Sequence, residues 1–120
     1  MRSGNDVPAV PPDATFSDLM REMSAKGLGA SAIVSPQRQL LGIFTDGDLR
    51  RLIEKGVDMR NLSAQEVMKA NPRTLRVDAL AAEAAEMMET HRITSLLVVD
   101  AQGMLCGAIN SNDLMRAKVI

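Results

Sequence analysis

Short apolar runs and helix-spaced apolar residues alternate in the first half of this chain. Ala32–Val34 and Leu40–Phe44 have the length of buried strands, and Pro36-Gln37-Arg38 between them has the composition of a hairpin turn. An extended segment, Val7–Val10, comes before them and is followed by a helix with apolar residues three and four apart. A second helix, Gly47–Lys55, comes after them. The pattern predicts the element order β-α-β-β-α.

The first predicted helix carries a start signal and an apolar stripe. Thr15, followed three residues later by Asp18, has the spacing of a capping box, although the acid is Asp instead of Glu. The stripe predicts the face of the helix that packs into the core. Its members are Phe16, Leu19, Met20 and Met23.

The second half of the chain repeats the first at an offset of 65 residues, which aligns Gly42 with Gly107 without a gap. Other identical pairs are Asp13 and Asp78, Ala14 and Ala79, Met23 and Met88, Val34 and Val99, Gln37 and Gln102, Leu40 and Leu105, Asp48 and Asp113, Leu49 and Leu114, and Arg51 and Arg116. The second set of elements is predicted at Thr74–Val77, a helix starting near Asp78, Leu96–Val99, Met104–Ile109 and Asn112–Lys118. We therefore predict a duplicated unit of the α+β (α/β) class.

A polar linker separates the two copies. The first copy's last helix is predicted to end at Gly56, a residue that favours helix termination. Ser63 and Glu66 have capping-box spacing and predict a short helix that ends near Met68. Asn71-Pro72 then marks a turn before the next strand. We place the first repeat at residues 1–58 and the second at 59–120.

Composition narrows the range of partners and chemistry. A net charge of −1 and two aromatic residues give no surface suited to nucleic acid, and the apolar runs are far too short to span a membrane. The single cysteine, Cys106, is expected to be an inert core residue and favours a reducing, cytoplasmic location. The single histidine, His91, cannot form a histidine-rich metal site or a Ser-His-Asp relay. We expect no catalytic or metal-binding residues.

Thr45 and Asp48 are the most suggestive polar pair. A residue that ends a strand and a residue in the first turn of the next helix project toward the same place. There a hydroxyl and a carboxylate can bind the vicinal hydroxyls of a ribose, beside a helix N-terminus that favours phosphate. From the spacing alone, the favoured role of the two residues is only to cap the helix. Asp46, which lies between them, does not complete a metal-binding loop with Asp48.

The run from Gly42 to Arg51, Gly-Ile-Phe-Thr-Asp-Gly-Asp-Leu-Arg-Arg, on a duplicated β-α-β-β-α unit, resembles a pair of CBS domains. Gly56-Val57-Asp58 and His91-Arg92-Ile93-Thr94-Ser95 make the chain similar to the C-terminal CBS pair of arabinose 5-phosphate isomerases, which supply the Kdo sugar of lipopolysaccharide. The resemblance implies two repeats packed about a pseudo-twofold axis, with ligand clefts between them.

The resemblance also assigns roles to residues. It makes Thr45 and Asp48 the ribose-binding positions, and Asn110 and Asp113 their counterparts in the second copy, where Asn departs from the usual Thr or Ser. The remaining positions implied to bind ligand are Ser31 and Asp46 in the first copy, and His91, Arg92, Thr94 and Ser95 in the second. The basic pair would lie beside the ligand phosphate, although an exposed helix end explains that pair equally well.

The function implied is regulation of an attached enzyme. The fragment itself would have no activity, and its parent would be an aldose–ketose isomerase with an upstream sugar-isomerase domain. The effector implied is CMP-Kdo, with AMP, ADP or ATP as the alternative, and the assembly implied is a homodimer within a tetrameric parent. Two other interpretations stay open: a structural dimerisation module with vestigial clefts, and a sugar-nucleotide transferase as the parent.

Overall fold

The computed structural model describes residues 2–79 and 81–111, which form two compact units of mixed α and β structure. One unit is Pro8–Pro72, and the other combines the first residues, through Val7, with the chain from Arg73 on. Each unit has its own hydrophobic core. No helix in the described part of the chain is both long and apolar enough to cross a membrane.

Two stretches of the chain are joined to their compact units by backbone hydrogen bonds to residues distant in sequence. The amide of Ala64 donates to the carbonyl of Ala14 at 2.8 Å, which ties the linker to the first unit. Arg2 and Ala108 exchange two backbone hydrogen bonds, which tie the start of the chain to the second unit. Residues 59–72 therefore lie in the compact unit Pro8–Pro72, and residues 2–7 lie in the other unit.

The first unit contains a four-stranded sheet in the order β1-β2-β3-β4. Strand β1 runs parallel to β2, and the pairs β2–β3 and β3–β4 are antiparallel. Its elements are β1 (Ala9–Val10), α1 (Phe16–Lys26), β2 (Ala30–Val34), β3 (Leu40–Thr45), α2 (Asp46–Glu54), α3 (Ala64–Val67) and β4 (Lys69–Ala70). The predicted order is confirmed, and β4 is an additional strand that was not predicted.

The second unit contains a three-stranded sheet in the order β5-β6-β7, with β5 parallel to β6 and β6 antiparallel to β7. A short 3₁₀ turn, Gly4–Asp6, belongs to this unit. Its other elements are β5 (Thr74–Arg76), α4 (Ala81–His91), β6 (Ser95–Val99) and β7 (Leu105–Asn110). The helix predicted at Asn112–Lys118 lies outside the described residues.

Strand register confirms the duplication residue by residue. The parallel pair Val10–Ile33 recurs 65 positions later as Leu75–Val98, and the antiparallel pair Ala30–Thr45 recurs as Ser95–Asn110. Each hairpin also has one register shift, between Ile33 and Val34 and between Val98 and Val99. The repeat seen in the sequence is therefore a repeat of backbone geometry.

The apolar stripe of α1 forms the core of the first unit as predicted. Leu19 and Met23 are buried, and Phe16 and Met20 pack against them from half-buried positions. The ring of Phe16 meets the buried ring of Phe44 edge-on, with centroids 5.9 Å apart. Edge-to-face contact suits the positive edge and negative face of aromatic rings, so this pair fixes α1 against β3.

Candidate functional site

Thr45 and Asp48 lie where β3 passes directly into α2. Thr45 ends the strand with extended backbone, φ −120° and ψ 165°, and is also the N-cap of the helix. Asp48 is the third residue of α2, in its first turn. The direct junction brings the hydroxyl and the carboxylate together, as the sequence predicts.

The two side chains form a reciprocal capping box. The amide of Asp48 donates to Thr45 Oγ1 at 3.1 Å, and the amide of Thr45 donates to Asp48 Oδ2 at 3.0 Å. The Thr45 hydroxyl also donates to Asp48 Oδ2, at 2.9 Å. Two amides that the helix start would otherwise leave without partners are satisfied, so the pair does cap the helix.

Two cations face the other oxygen of the same carboxylate. Arg51 Nη2 donates to Asp48 Oδ1 at 2.6 Å, and Lys69 Nζ lies 4.0 Å from that oxygen. The side chain of Asp48 is only 13% exposed, whereas that of Arg51 is 55% exposed. A shielded carboxylate is thus held by one cation of its own helix and approached by a second cation from β4.

These contacts keep Asp48 ionised. Burial acts to raise the pKa of its carboxyl, but hydrogen bonds from Arg51 and Thr45 and the charge of Lys69 act in the opposite direction and prevail. The pKa of Asp48 therefore lies below its ordinary value of 3.8. The site offers a charged acceptor at neutral pH.

The other two candidate residues of the first copy differ in burial: Asp46 is exposed and Ser31 is buried. The amide of Asp46 donates to the carbonyl of Gly29 at 3.0 Å, which joins the start of α2 to the start of β2. Ser31 does not precede the strand, as the sequence analysis has it, but is the second residue of β2. Its side chain is fully buried and its hydroxyl donates to the carbonyl of Ala32 at 3.0 Å, because β2 is buried along its whole length.

In the second unit the described residues repeat the strand side of this junction with other side chains. Asn110 ends β7 opposite Ser95, the first residue of β6, in the register that Thr45 has opposite Ala30. The amide of Ser111 donates to the carbonyl of Thr94 at 2.8 Å, as Asp46 does to Gly29. Asp113 lies outside the described residues.

His91 and Arg92 are exposed at the C-terminal end of α4. Arg92 has a left-handed backbone, φ 53°, at the position where the first copy has Gly27, φ 66°. A residue with a side chain is strained there, by about 1–2 kcal/mol. Arg92 thus follows α4 at the position where Gly27 ends α1 without strain. Backbone strain of this kind is concentrated at functional sites.

Arg51 and Lys69 face Asp48, although neither is among the predicted site residues. The spacing of Asp48 and Arg51, three residues apart on a helix, is the signal that finds the first of them. Lys69 has no local signal, because it is brought to the site by the pairing of β4 with β3. Residues that reach a site through strand pairing are invisible to local sequence patterns.

Other features of the described residues lie away from this junction. A groove of about 580 Å³ at the opposite end of β1 and β2 is lined by residues 9–13, by residues 34–36 and by Arg38. Cys106 is half-buried and its thiol donates to the carbonyl of Val98 at 3.4 Å. Burial and the nearby charge of Asp100 raise the pKa of that thiol, which keeps it protonated and weakly nucleophilic.

Sequence relatives match this chain along its full length. Arabinose 5-phosphate isomerase KdsD of Pseudomonas aeruginosa is 41% identical over all 120 residues, which correspond to 37% of that protein. The enzyme of the same name from Escherichia coli K12 is 39% identical, over 36% of its length. The chain therefore spans little more than a third of the curated relatives that it matches.

Solved structures with the same fold cover nearly the whole chain. CBSX2 in complex with AMP superimposes with a TM-score of 0.84 at 21% identity, covering 99% of this chain and 92% of that one. A CBS domain protein from Pyrobaculum aerophilum complexed with AMP has a TM-score of 0.81 at 23% identity, covering 95% and 85%.

The protein-family model described as CBS domain matches twice, at residues 1–55 and 64–120. These two matches contain the two β-α-β-β units that share strand register. The chain therefore belongs to the CBS domain family and carries two copies of that domain.

Proposed function

We propose that this chain is the nucleotide-sensing regulatory CBS pair of an arabinose 5-phosphate isomerase. The observation that carries the proposal is the Asp48 carboxylate, shielded from solvent, ionised and placed beside a hydroxyl at the start of α2. A carboxylate of this kind accepts hydrogen bonds from the vicinal hydroxyls of a ribose. The identity to KdsD along the whole chain supports the choice of parent enzyme.

The proposed effector is CMP-Kdo, the activated product of the pathway that the parent enzyme supplies. Its ribose would bind at Asp48 or at Asp113, and basic side chains would bind its acidic sugar. Adenine nucleotides are the alternative, and two structures of the same fold that contain AMP support them. Thr94, Ser95 and Asn110 lie at one junction of the second unit and form the matching candidate site there.

The proposal includes the setting of the module. The parent would carry a sugar-isomerase domain upstream, which agrees with relatives nearly three times as long as this chain. The isolated pair would have no isomerase activity, and it would form a cytoplasmic homodimer. Ile53, 60% exposed on α2, and Val57, which follows that helix, are exposed apolar side chains that would take part in the contact between protomers. Equilibrium sedimentation tests the dimer, and a monomer at high micromolar concentration contradicts it.

A dimerisation module without ligand is the second candidate function. It is favoured by the capping box, which uses Asp48 and Thr45 within the protein, and by Asn110 in place of Thr or Ser. Thermal unfolding in the presence of CMP-Kdo, AMP, ADP and ATP separates the two functions. A ligand that binds the folded chain raises the midpoint of unfolding, and a pair with vestigial sites shows no shift with any of them.

Titration calorimetry with three variants tests the site itself. Asp48→Ala is expected to weaken nucleotide binding about ten- to a hundredfold, from the loss of hydrogen bonds to a charged group. Asp113→Ala then has little effect, and the reverse holds if the second copy binds the ribose. Arg92→Ala weakens an anionic ligand in a salt-dependent way. Asp18→Ala, on α1, is the matched control, and unchanged affinity in both Asp48 and Asp113 variants contradicts the ribose assignment.

A further inference from the structure

The Asp48 carboxylate has almost no accepting capacity left in the ligand-free chain. A carboxylate accepts about four hydrogen bonds, two at each oxygen. Oδ2 accepts from the amide of Thr45 at 3.0 Å and from its hydroxyl at 2.9 Å, so that oxygen is saturated. Oδ1 accepts from Arg51 at 2.6 Å. One accepting position is left, on the oxygen that Lys69 approaches.

A ribose that binds through both of its hydroxyls needs two accepting positions, so one of the present donors must leave. The amide of Thr45 cannot leave without breaking the start of α2, because it is backbone within the capping box. The hydroxyl oxygen of Thr45 is held beside Oδ2 as well, because it accepts the amide of Asp48 at 3.1 Å. The side chain of Arg51 is 55% exposed and sits on a flexible stem. It is the donor that can be exchanged at least cost.

We propose that the guanidinium of Arg51 occupies Asp48 Oδ1 in the free protein and is replaced there by a ligand hydroxyl on binding. We call this replacement the Arg51 exchange. This inference rests on the proposed ribose site. A neutral nucleoside breaks the Arg51–Asp48 ion pair without giving the guanidinium a new partner. A nucleotide brings an anion with which the released guanidinium can pair, since Arg binds phosphate oxygens in a planar fork. Arg51 is thus a specificity-determining residue that selects nucleotides over nucleosides.

Lys69 makes the exchange possible without leaving the carboxylate uncompensated. Its ammonium lies 4.0 Å from the same oxygen and reaches it from β4, so it does not depend on the rotamer of Arg51. The charge of Asp48 remains balanced while Arg51 moves away. The two cations therefore reach the carboxylate from different elements, and Lys69 can still face it from β4 when Arg51 moves away.

The test is calorimetric titration of wild type and Arg51→Met with adenosine and with AMP. Met keeps much of the apolar stem but cannot pair with Asp48. We expect adenosine to bind the variant about two- to fivefold more tightly, the effect of removing one partly exposed ion pair, and AMP to lose affinity. The preference for AMP over adenosine falls accordingly. Arg21→Met is the matched control, because Arg21 pairs with Asp18 at the same spacing on α1, and it leaves both affinities unchanged.

The outcomes separate this inference from the proposed function. If wild type binds AMP but Arg51→Met binds adenosine no more tightly than wild type does, the Arg51 exchange is contradicted. The proposed nucleotide site is not contradicted by that result. Absence of nucleotide binding to wild type overturns both. Carbon NMR of the Asp48 carboxyl is a measurement that needs no ligand. The titration of this carboxyl is expected to move to higher pH in Arg51→Met. An unchanged titration contradicts the ion pair on which the Arg51 exchange depends.

Discussion

Helices α1 and α2 begin with the same sequence pattern, Thr-x-x-Asp-x-x-Arg, and build different sites from it. The residues are Thr15, Asp18 and Arg21 in α1, and Thr45, Asp48 and Arg51 in α2. In both helices the threonine oxygen caps the aspartate amide and the arginine pairs with the carboxylate. The carboxylate is 53% exposed at α1 and 13% exposed at α2.

The contrast shows that the pattern itself specifies a helix start and that the surroundings decide the rest. At α1 the backbone next to the cap is hydrogen-bonded to the segment that links the two repeats, since the amide of Phe16 donates to the carbonyl of Leu62 at 3.1 Å. At α2 the carboxylate turns back to the amide of Thr45 and receives Lys69 from β4. Only the second helix start has an ionised group that is both shielded and approached by two cations.

The threonine caps give the largest expected difference in stability. Thr45→Val removes the acceptor for the Asp48 amide and a donor to its carboxylate, and is expected to lower the free energy of unfolding by about 2 kcal/mol. Thr15→Val removes a single cap bond and is expected to cost about 1 kcal/mol. Urea unfolding measures both, and equal losses contradict the comparison.

The aspartates come next. Asp48→Asn weakens the bonds to Arg51 and to the Thr45 amide, so it is expected to cost about 1 kcal/mol of unfolding free energy. Asp18→Asn affects an exposed ion pair and is expected to cost less than about 0.5 kcal/mol. A larger loss for Asp18→Asn in the same urea experiment contradicts the interpretation based on burial.

The pH dependence of stability isolates the ionised state of Asp48. Its pKa is lowered in the folded chain, so its contribution is present above the unfolded-state pKa and is lost as pH falls through the folded-state pKa. Wild type is therefore expected to lose unfolding free energy below about pH 5 more steeply than Asp48→Asn. Urea unfolding at stepwise lower pH measures the slopes, and identical slopes contradict the lowered pKa.

The arginines give the smallest effect on stability. Arg51→Met and Arg21→Met each remove a helical ion pair in which the arginine is more than half exposed. Each is expected to change the unfolding free energy by less than about 0.5 kcal/mol and to lose that effect in high salt. The two arginines are expected to differ in their effect on ligand binding. If Arg51→Met lowers the unfolding free energy as much as Thr45→Val does, Arg51 has a structural role instead.

The sequence by itself determined the features that depend on local interactions. The element order, the apolar stripe of α1 and the caps at Thr15, Thr45 and Ser63 are all legible there, because periodicity and capping act within a few residues. The 65-residue offset predicted the second set of strands, and their register repeats that of the first sheet because duplicated sequence folds to duplicated strand pairing. The junction of Thr45 and Asp48 follows from the same local signals.

The tertiary structure decided what depends on distant parts of the chain. Strand β4 and its Lys69, the membership of residues 59–72 in the first unit and the burial of Ser31 all arise from pairing and packing between segments far apart in sequence. The same packing shields Asp48 while leaving Asp18 exposed, although the local pattern is identical. The burial of a side chain depends on the residues packed around it. The local pattern therefore specifies a helix cap at Asp48, and the tertiary fold makes that carboxylate a shielded, charged acceptor.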